Sequence, residues 1–369
     1  MRRDLNWRLG PTVRSGLSQT IGRISNRVLW QVDCAAPQAI EQQDTVSMEE
    51  ARIGKTNIET SVLCMGTDSM GSTIDEATSF RLLDYFAQMG GTFIDTANFY
   101  AAWADGCEGG ESETIIGRWM KQRANRDRMV IASKLGFEYS GCGGGLRAGE
   151  IEREVERSLE RLQTDRIDLY YAHRDDFHTP LEETMEAFDR LVKAGKVRAV
   201  GASNLSVWRI AEANTLSRLR GWAEYCAIEQ RYTYLRPRHG ADFGPQICIS
   251  QDLKDYCKCH GITLVAYSIL LKGAYTRDDR RIPAQFAGPQ ADERMATLRT
   301  VADETGATMN QVIIAWMLQS DPRVLPIVAA SRIVQLKETM ASLEFRLNED
   351  QMSRLDTAGN PDIKEAWLR

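Results

Sequence analysis

Long apolar stretches are missing from this 369-residue chain. No run approaches the roughly 18 residues that a membrane-spanning helix needs, so no bilayer partner is expected. A surplus of positive charge is missing too. Lys+Arg number 46 against Asp+Glu 51, a formal net charge of −5, which gives no electrostatic case for a nucleic-acid partner. Histidine is scarce, four in all, and only His173 ends a candidate strand. A metal-dependent barrel hydrolase needs several His or carboxylate ligands at strand ends. Cys257-Lys258-Cys259-His260 lacks a second ligand pair at zinc spacing, so no metal is expected. A dinucleotide fingerprint is absent as well. The turn after the first candidate strand reads Gly66-Thr67-Asp68-Ser69-Met70-Gly71, which is no G-x-G-x-x-G and weighs against a doubly wound sheet. Gly141-Cys142-Gly143-Gly144-Gly145 reads as a flexible loop. The eight cysteines sit largely in apolar stretches and read as reduced thiols in a chain too long to need a disulfide framework.

What is present divides into two parts. Residues 1–47 are rich in Arg and Ser, with Asp4 the only acid before Asp33. That composition is similar to a mitochondrial transit peptide. The plainer reading is an extension outside the fold, or a start set too early, because Met48 opens a sensible domain. On that reading the chain is expected in the cytoplasm; mitochondrial targeting follows if the leader is real. Over 48–369 short β-branched runs alternate with longer amphipathic ones. Strands are expected at Ser61–Met65, Thr92–Asp95, Met129–Ser133, Ile167–His173, Val197–Gly201, Cys226–Gln230, Ile262–Tyr267 and Val324–Val328. Helices are expected at Asp75–Met89, Glu111–Lys121, Gly149–Leu162, Leu181–Lys193, Ser206–Leu216, Pro245–Cys259, Asp292–Gln319 (split near Gly306) and Ile333–Leu343. Eight strand–helix units in one domain are the pattern of an α/β protein of the (β/α)8 TIM-barrel kind.

Chemistry in such a barrel sits at the C-terminal ends of the strands. The second strand ends in Asp95 and leads to Tyr100, the third ends at Lys134 and the fourth at His173. Each has an ordinary structural use, as a cap, a solvated cation or a satisfied polar group. Four complementary types on three consecutive strands form a coherent set. A phenol titrates near 10, roughly, and a neighbouring ammonium is expected to lower that value. Lys134 would supply the ammonium and Asp95 would hold it. His173 would orient a carbonyl oxygen, and Tyr100 would protonate that oxygen as it becomes an alkoxide. No side chain supplies a hydride, so a reduced nicotinamide is required.

The segments Gly91-Thr92-Phe93-Ile94-Asp95-Thr96-Ala97-Asn98-Phe99-Tyr100, Ile131-Ala132-Ser133-Lys134 and Asp168-Leu169-Tyr170-Tyr171-Ala172-His173 resemble the aldo-keto reductase superfamily. So do Gly201-Ala202-Ser203-Asn204 and Tyr267-Ser268-Ile269-Leu270-Leu271-Lys272-Gly273. The resemblance runs from about Arg52 to Leu355. It implies a barrel, reversible NAD(P)H-dependent reduction of an aldehyde or ketone, and the tetrad Asp95, Tyr100, Lys134, His173. The alternative is a non-catalytic nicotinamide-nucleotide-binding regulatory subunit on the same fold.

The resemblance also implies a cofactor site. Ser203 and Asn204 match the pair that binds the carboxamide, and Tyr267 the aromatic that stacks on the nicotinamide. Gly66 and Thr67 match the first-strand pair that lets the cofactor approach the backbone. Ser268 and Leu270 are further expected cofactor contacts, and Lys272 stands where an arginine is common near the pyrophosphate. The amide of the sixth strand falls on Glu229, with Gln230 beside it, and either side chain fits. The adenosine end falls on Ser331, Arg332, Gln335 and Glu338. There the usual cation is replaced by Ala329 or Ser331 and the usual asparagine by Thr339. A 2′-phosphate needs a well-placed cation, so NADPH is expected from the resemblance and NADH stays open. Trp103, Phe137 and Tyr139 are the expected aromatic walls for a small-molecule carbonyl substrate. Oligomeric state is not readable.

Overall fold

A computed structural model describes residues 48–360; the expected leader at residues 1–47 lies outside them. The described residues open with a hairpin, β1 (Glu50–Arg52) against antiparallel β2 (Glu59–Ser61). Eight parallel strands follow: β3 (Cys64–Gly66), β4 (Phe93–Asp95), β5 (Val130–Leu135), β6 (Ile167–Ala172), β7 (Val197–Ser203), β8 (Tyr225–Arg231), β9 (Thr263–Tyr267) and β10 (Val324–Val328). They pair in sequence order, and β10 returns to β3, closing the barrel. The (β/α)8 architecture is therefore present.

Helices α1 (Glu76–Gln88), α2 (Glu111–Arg123), α3 (Ala148–Leu162), α4 (Leu181–Lys193), α5 (Val207–Arg220) and α6 (Gln251–His260) each follow one barrel strand. Helices α7 (Pro289–Thr305) and α8 (Met309–Gln319) follow β9, and α9 (Ile333–Met340) and α10 (Glu349–Thr357) follow β10. Local sequence accounts for the ends. Asp75 caps α1 by accepting from the Thr78 N–H at 2.7 Å, and Thr308 with Gln311 forms a capping box on α8. Gly306, at φ 68°, supplies the left-handed residue that separates α7 from α8. None of the described helices is long and apolar enough to cross a membrane.

Two expectations need correction. Ser61 belongs to the hairpin and not to the first barrel strand: its hydroxyl donates to the Leu63 carbonyl and accepts from the backbone N–H groups of Thr92 and Phe93. Residues 245–250 are not helical, and α6 begins only at Gln251, where Ser250 caps it. The β1–β2 hairpin and α10 carried no signal strong enough to be read in advance. All seven cysteines among the described residues are free thiols.

The barrel's interior is filled by side chains. Tyr171 points inward from β6, and a Cβ at Gly201 on neighbouring β7 would lie 2.4 Å from its ring. Glycine is needed there for room, since the barrel is packed solid. On the outside, Trp119, Phe86, Phe188 and Ile210 are fully buried beneath the helical layer. This rigid wall fixes where the strand ends point.

Candidate active site

Lys134, in the last turn of β5, is completely buried. An ammonium has three hydrogens to donate, and all three are used. Nζ donates to Asp95 Oδ2 at 2.6 Å, to the Thr96 carbonyl at 3.0 Å and to the Tyr100 phenol oxygen at 2.8 Å. The phenol in turn donates to Asp95 Oδ2 at 3.2 Å. A buried charge is tolerable only when paired and hydrogen-bonded, and this arrangement meets both needs.

The loop that carries Tyr100 is pinned to the wall. Its Asn98 N–H donates to the Lys134 carbonyl at 3.1 Å, and its Asn98 amide donates to buried Glu154 at 2.8 Å. Ala101 takes a left-handed conformation, φ 77°, which turns the chain away immediately after the tyrosine. His173 follows β6 directly. Its ring lies 5.9 Å from the Tyr100 ring, edge to face. Burial and the Lys134 charge hold its pKa well below the usual histidine value, so the imidazole is neutral. Its Nδ1 is buried without a partner. The four tetrad residues expected from the sequence thus converge at one rim.

One electrostatic expectation is overturned. Burial first, and then the Asp95 carboxylate, pushes the Tyr100 phenol well above its ordinary pKa. Lys134 alone would lower it, but desolvation of a phenolate in a closed barrel outweighs one ammonium already claimed by Asp95. The resting phenol is a firmly protonated donor.

The aromatic wall is partly as expected. Phe137 packs edge-on against His173 at 4.8 Å, and Trp103, 53% exposed, stands 6.0 Å from the Tyr100 ring. Phe99, which the sequence reading passed over, joins them at 5.0 Å from Phe137 and 5.1 Å from Trp103. Its position one residue before Tyr100 was the available signal. Tyr139 does not belong to this wall. Its hydroxyl donates to Glu154 Oε2 of α3 at 2.6 Å, and its ring covers Gly109. Hydroxyl and ring are both spent on loop packing behind the barrel wall. A cavity of about 540 Å³ is lined mostly by charged side chains, Glu138, Arg147, Glu150, Arg174, Asp175 and Asp176, with the glycines Gly143–Gly145.

Residues matched to the cofactor fall into two groups. The first is engaged within the protein. Thr67 donates to the Asp95 carbonyl at 2.7 Å, so it serves the strand end. A Cβ at Gly66 would meet Ile327 at 2.7 Å, so that glycine serves packing between β3 and β10. The Asn204 amide donates to the His173 carbonyl and to Ser203 Oγ, and its oxygen accepts from Tyr267 and the Ile247 N–H. Gln335 accepts from the Ser331 and Arg332 N–H groups, and Glu338 accepts from Thr308.

The second group is open. Lys272, Ser268, Ser331 and Arg332 are exposed, and among the described residues no carboxylate pairs with either cation. On β8 the choice between neighbours is decided. Glu229 faces the barrel interior, with Oε1 3.5 Å from Lys134 Nζ, while the Gln230 amide donates to the Leu205 carbonyl at 2.6 Å. Strand alternation forbids both from facing inward.

Among the described residues, seven non-glycine residues have positive φ. Ala124 and Gln163 end helices. The other five, Ala101, Asn204, Ser268, Leu271 and Lys272, all lie beyond the C-terminal ends of barrel strands. Backbone strain gathered at one rim marks a functional face.

A closed parallel barrel with a buried ammonium–carboxylate pair, a protonated phenol and a neutral imidazole at one mouth is equipped for proton transfer to a carbonyl oxygen. A family model described as Aldo/keto reductase family matches residues 62–360. The chain belongs to this family and is an oxidoreductase. It is 30% identical over 347 residues to norsolorinic acid reductase of Aspergillus flavus, covering 89% of this chain and 85% of that protein. It is 30% identical to the uncharacterized oxidoreductase YrpG of Bacillus subtilis, covering 84% of this chain and 95% of that protein. It is also 30% identical to the aldo-keto reductase ausK of Aspergillus calidoustus, covering 83% and 80%.

Proposed function

We propose that this protein reduces an aldehyde or ketone to an alcohol, with Tyr100 as proton donor and NADPH as the expected cofactor. The observation that carries the reading is the position of Lys134. One ammonium touches both the phenol oxygen of Tyr100 and the carboxylate of Asp95, at 2.8 and 2.6 Å.

The residues present fit a nicotinamide nucleotide. Among the buried polar atoms without partners are Gln230 Oε1 on β8 and His173 Nδ1 just beyond β6. Ser203 and Tyr267 flank them at the ends of β7 and β9. Exposed Lys272 and Arg332 suit phosphate groups. When bound, the reduced nicotinamide supplies a hydride to the carbonyl carbon.

The protein's own residues do the rest. His173, neutral, donates a hydrogen bond to the carbonyl oxygen without having to lose a charge. Tyr100 turns its O–H from Asp95 to that oxygen and gives up the proton as negative charge develops there. Lys134 stabilises the phenolate left behind, and Asp95 keeps Lys134 protonated. Phe99, Trp103 and Phe137 exclude water and favour a substrate with aromatic or extended apolar parts.

The test is NADPH oxidation across aldehydes, ketones and quinones, repeated with NADH, for the wild type and Tyr100→Phe. The variant should lose about 10²–10⁴-fold in turnover while binding the nucleotide within about twofold of wild type. Turnover retained in the variant would end the proton-donor role. No hydride transfer from the wild type to any member of the panel would leave the non-catalytic nucleotide-binding reading.

A further inference from the structure

Glu229 stands beside the tetrad with no role yet assigned to its carboxyl group. It is almost wholly buried, its Oε1 lies 3.5 Å from Lys134 Nζ, and its Oε2 has no hydrogen-bond partner. Asp95 is equally buried, but both of its oxygens lie against the ammonium, 2.6 Å from Nζ. The three hydrogens of Lys134 are already given to Asp95 Oδ2, Thr96 and Tyr100. Glu229 therefore keeps a bare oxygen in a dry barrel, and Lys134, held across both oxygens of Asp95, has nothing left to donate to it. Orphaned buried acceptors are costly. A proton on Glu229 removes that uncompensated charge and can be donated to the carboxylate of Asp95, its hydrogen-bonding neighbour.

We propose that Glu229 is a positioning residue that works as an un-ionised carboxylic acid, sharing its proton with Asp95 and so keeping Lys134 on the phenol of Tyr100. The proton belongs on Glu229 because Asp95 is the nearer partner of the ammonium and also accepts from Tyr100. Direct hydrogen bonds favour the ionised form of the group that receives them. With the proton on Glu229, the ammonium and the Asp95 carboxylate balance, and the buried cluster is neutral. Without it, two anions would compete for one ammonium, and Lys134 would be drawn off the phenol.

The charge environment agrees. Burial and the Asp95 carboxylate hold Glu229 well above the usual glutamate range, opposed only by Lys134. The groups facing it are Asp95 on β4, Lys134 on β5, Cys64 on β3, Tyr171 on β6 and Tyr267 on β9, with Tyr100 above. No second cation is among them.

The proposal rests on the reductase reading for its consequence, but its primary test does not. The infrared difference spectrum of unliganded wild type minus Glu229→Gln at about pH 7, well above the ordinary carboxylate range, should show the carbonyl band of an un-ionised carboxylic acid. Carboxylate bands instead, or an acid band that persists in Glu229→Gln and vanishes in Asp95→Asn, would overturn it. Should Glu229→Gln not fold, 13C-glutamate labelling of the wild type gives the same reading. One glutamate carboxyl carbon should keep its protonated shift from about pH 5 to 8, and a full set of ordinary titrations refutes the idea. The second test is the pH profile of single-turnover reduction. The wild type should fall about tenfold for each pH unit above the Glu229 transition. Glu229→Gln, a neutral isostere, should lack that limb while keeping its neutral-pH rate within about tenfold. Identical alkaline limbs in both proteins would refute the positioning role and leave the reductase assignment untouched.

Discussion

The Nζ of fully buried Lys134 donates to the phenol oxygen of half-buried Tyr100 across 2.8 Å. The contact ties the proton donor to a charge that cannot leave. Lys134→Met should cut turnover by about 10²–10⁴-fold. It should also destabilise the fold by about 3–5 kcal/mol, because Asp95 is left buried and uncompensated. Denaturant unfolding measures the second effect. Asp95→Asn added to Lys134→Met should recover much of the stability and none of the activity. Recovery of both would show that the pair is merely structural.

His173 gives a pH dependence with a definite sign. Its folded pKa lies well below the ordinary value of 6.5, so the unfolded chain takes up a proton that the folded one refuses. The stability it contributes is complete above 6.5 and is lost as pH falls through 6.5 toward the folded value. Glu229 acts oppositely. Its folded pKa is raised above 4.5, so its contribution is complete below 4.5 and is lost as pH rises through the folded value. Unfolding free energies of His173→Gln and Glu229→Gln, measured against pH, should flatten the acid and the alkaline slope respectively. Unchanged slopes would refute these two assignments.

Substrate recognition separates the aromatic residues. Phe137→Ala or Trp103→Ala should raise KM for aromatic carbonyl compounds by about 10-fold or more, equivalent to about 1–3 kcal/mol of apolar contact. Small aliphatic aldehydes should be affected less. Tyr139→Phe should leave KM unchanged and lower stability by about 1–3 kcal/mol, because Glu154 loses a buried donor. A KM effect at Tyr139 would return it to the substrate wall.

The nucleotide's phosphate end is read through Arg332 and Lys272. Arg332→Ala should weaken NADPH by about tenfold and NADH hardly at all, since only the former carries a 2′-phosphate. Lys272→Ala should weaken both. Equal losses for the two nucleotides in Arg332→Ala would remove it from the 2′-phosphate. Fluorescence titration of the nucleotide measures each.

Much of this was legible beforehand. The β/α alternation marked all eight barrel strands, because buried parallel strands are short and β-branched and their helices carry one apolar face. Asp95, Lys134 and His173 were legible as a set because strand ends of a closed barrel share one mouth. The hairpin was not, since its strands are three residues each and half-exposed. Tyr139 misled because an aromatic in a loop after a strand looks the same whether it faces a pocket or a helix. Only the position of Glu154 on α3 separates the two cases.

Residue order alone determined the barrel, its closure and the four side chains at its rim, since periodicity and strand-end position are local properties of the chain. What it left open were quantities that depend on every neighbour at once: which of Glu229 and Gln230 points inward, and whether an ammonium or desolvation governs the phenol. The folded barrel decided both, because the protonation of a buried group depends on the dielectric and the charges around it, and those come together only when distant strands close.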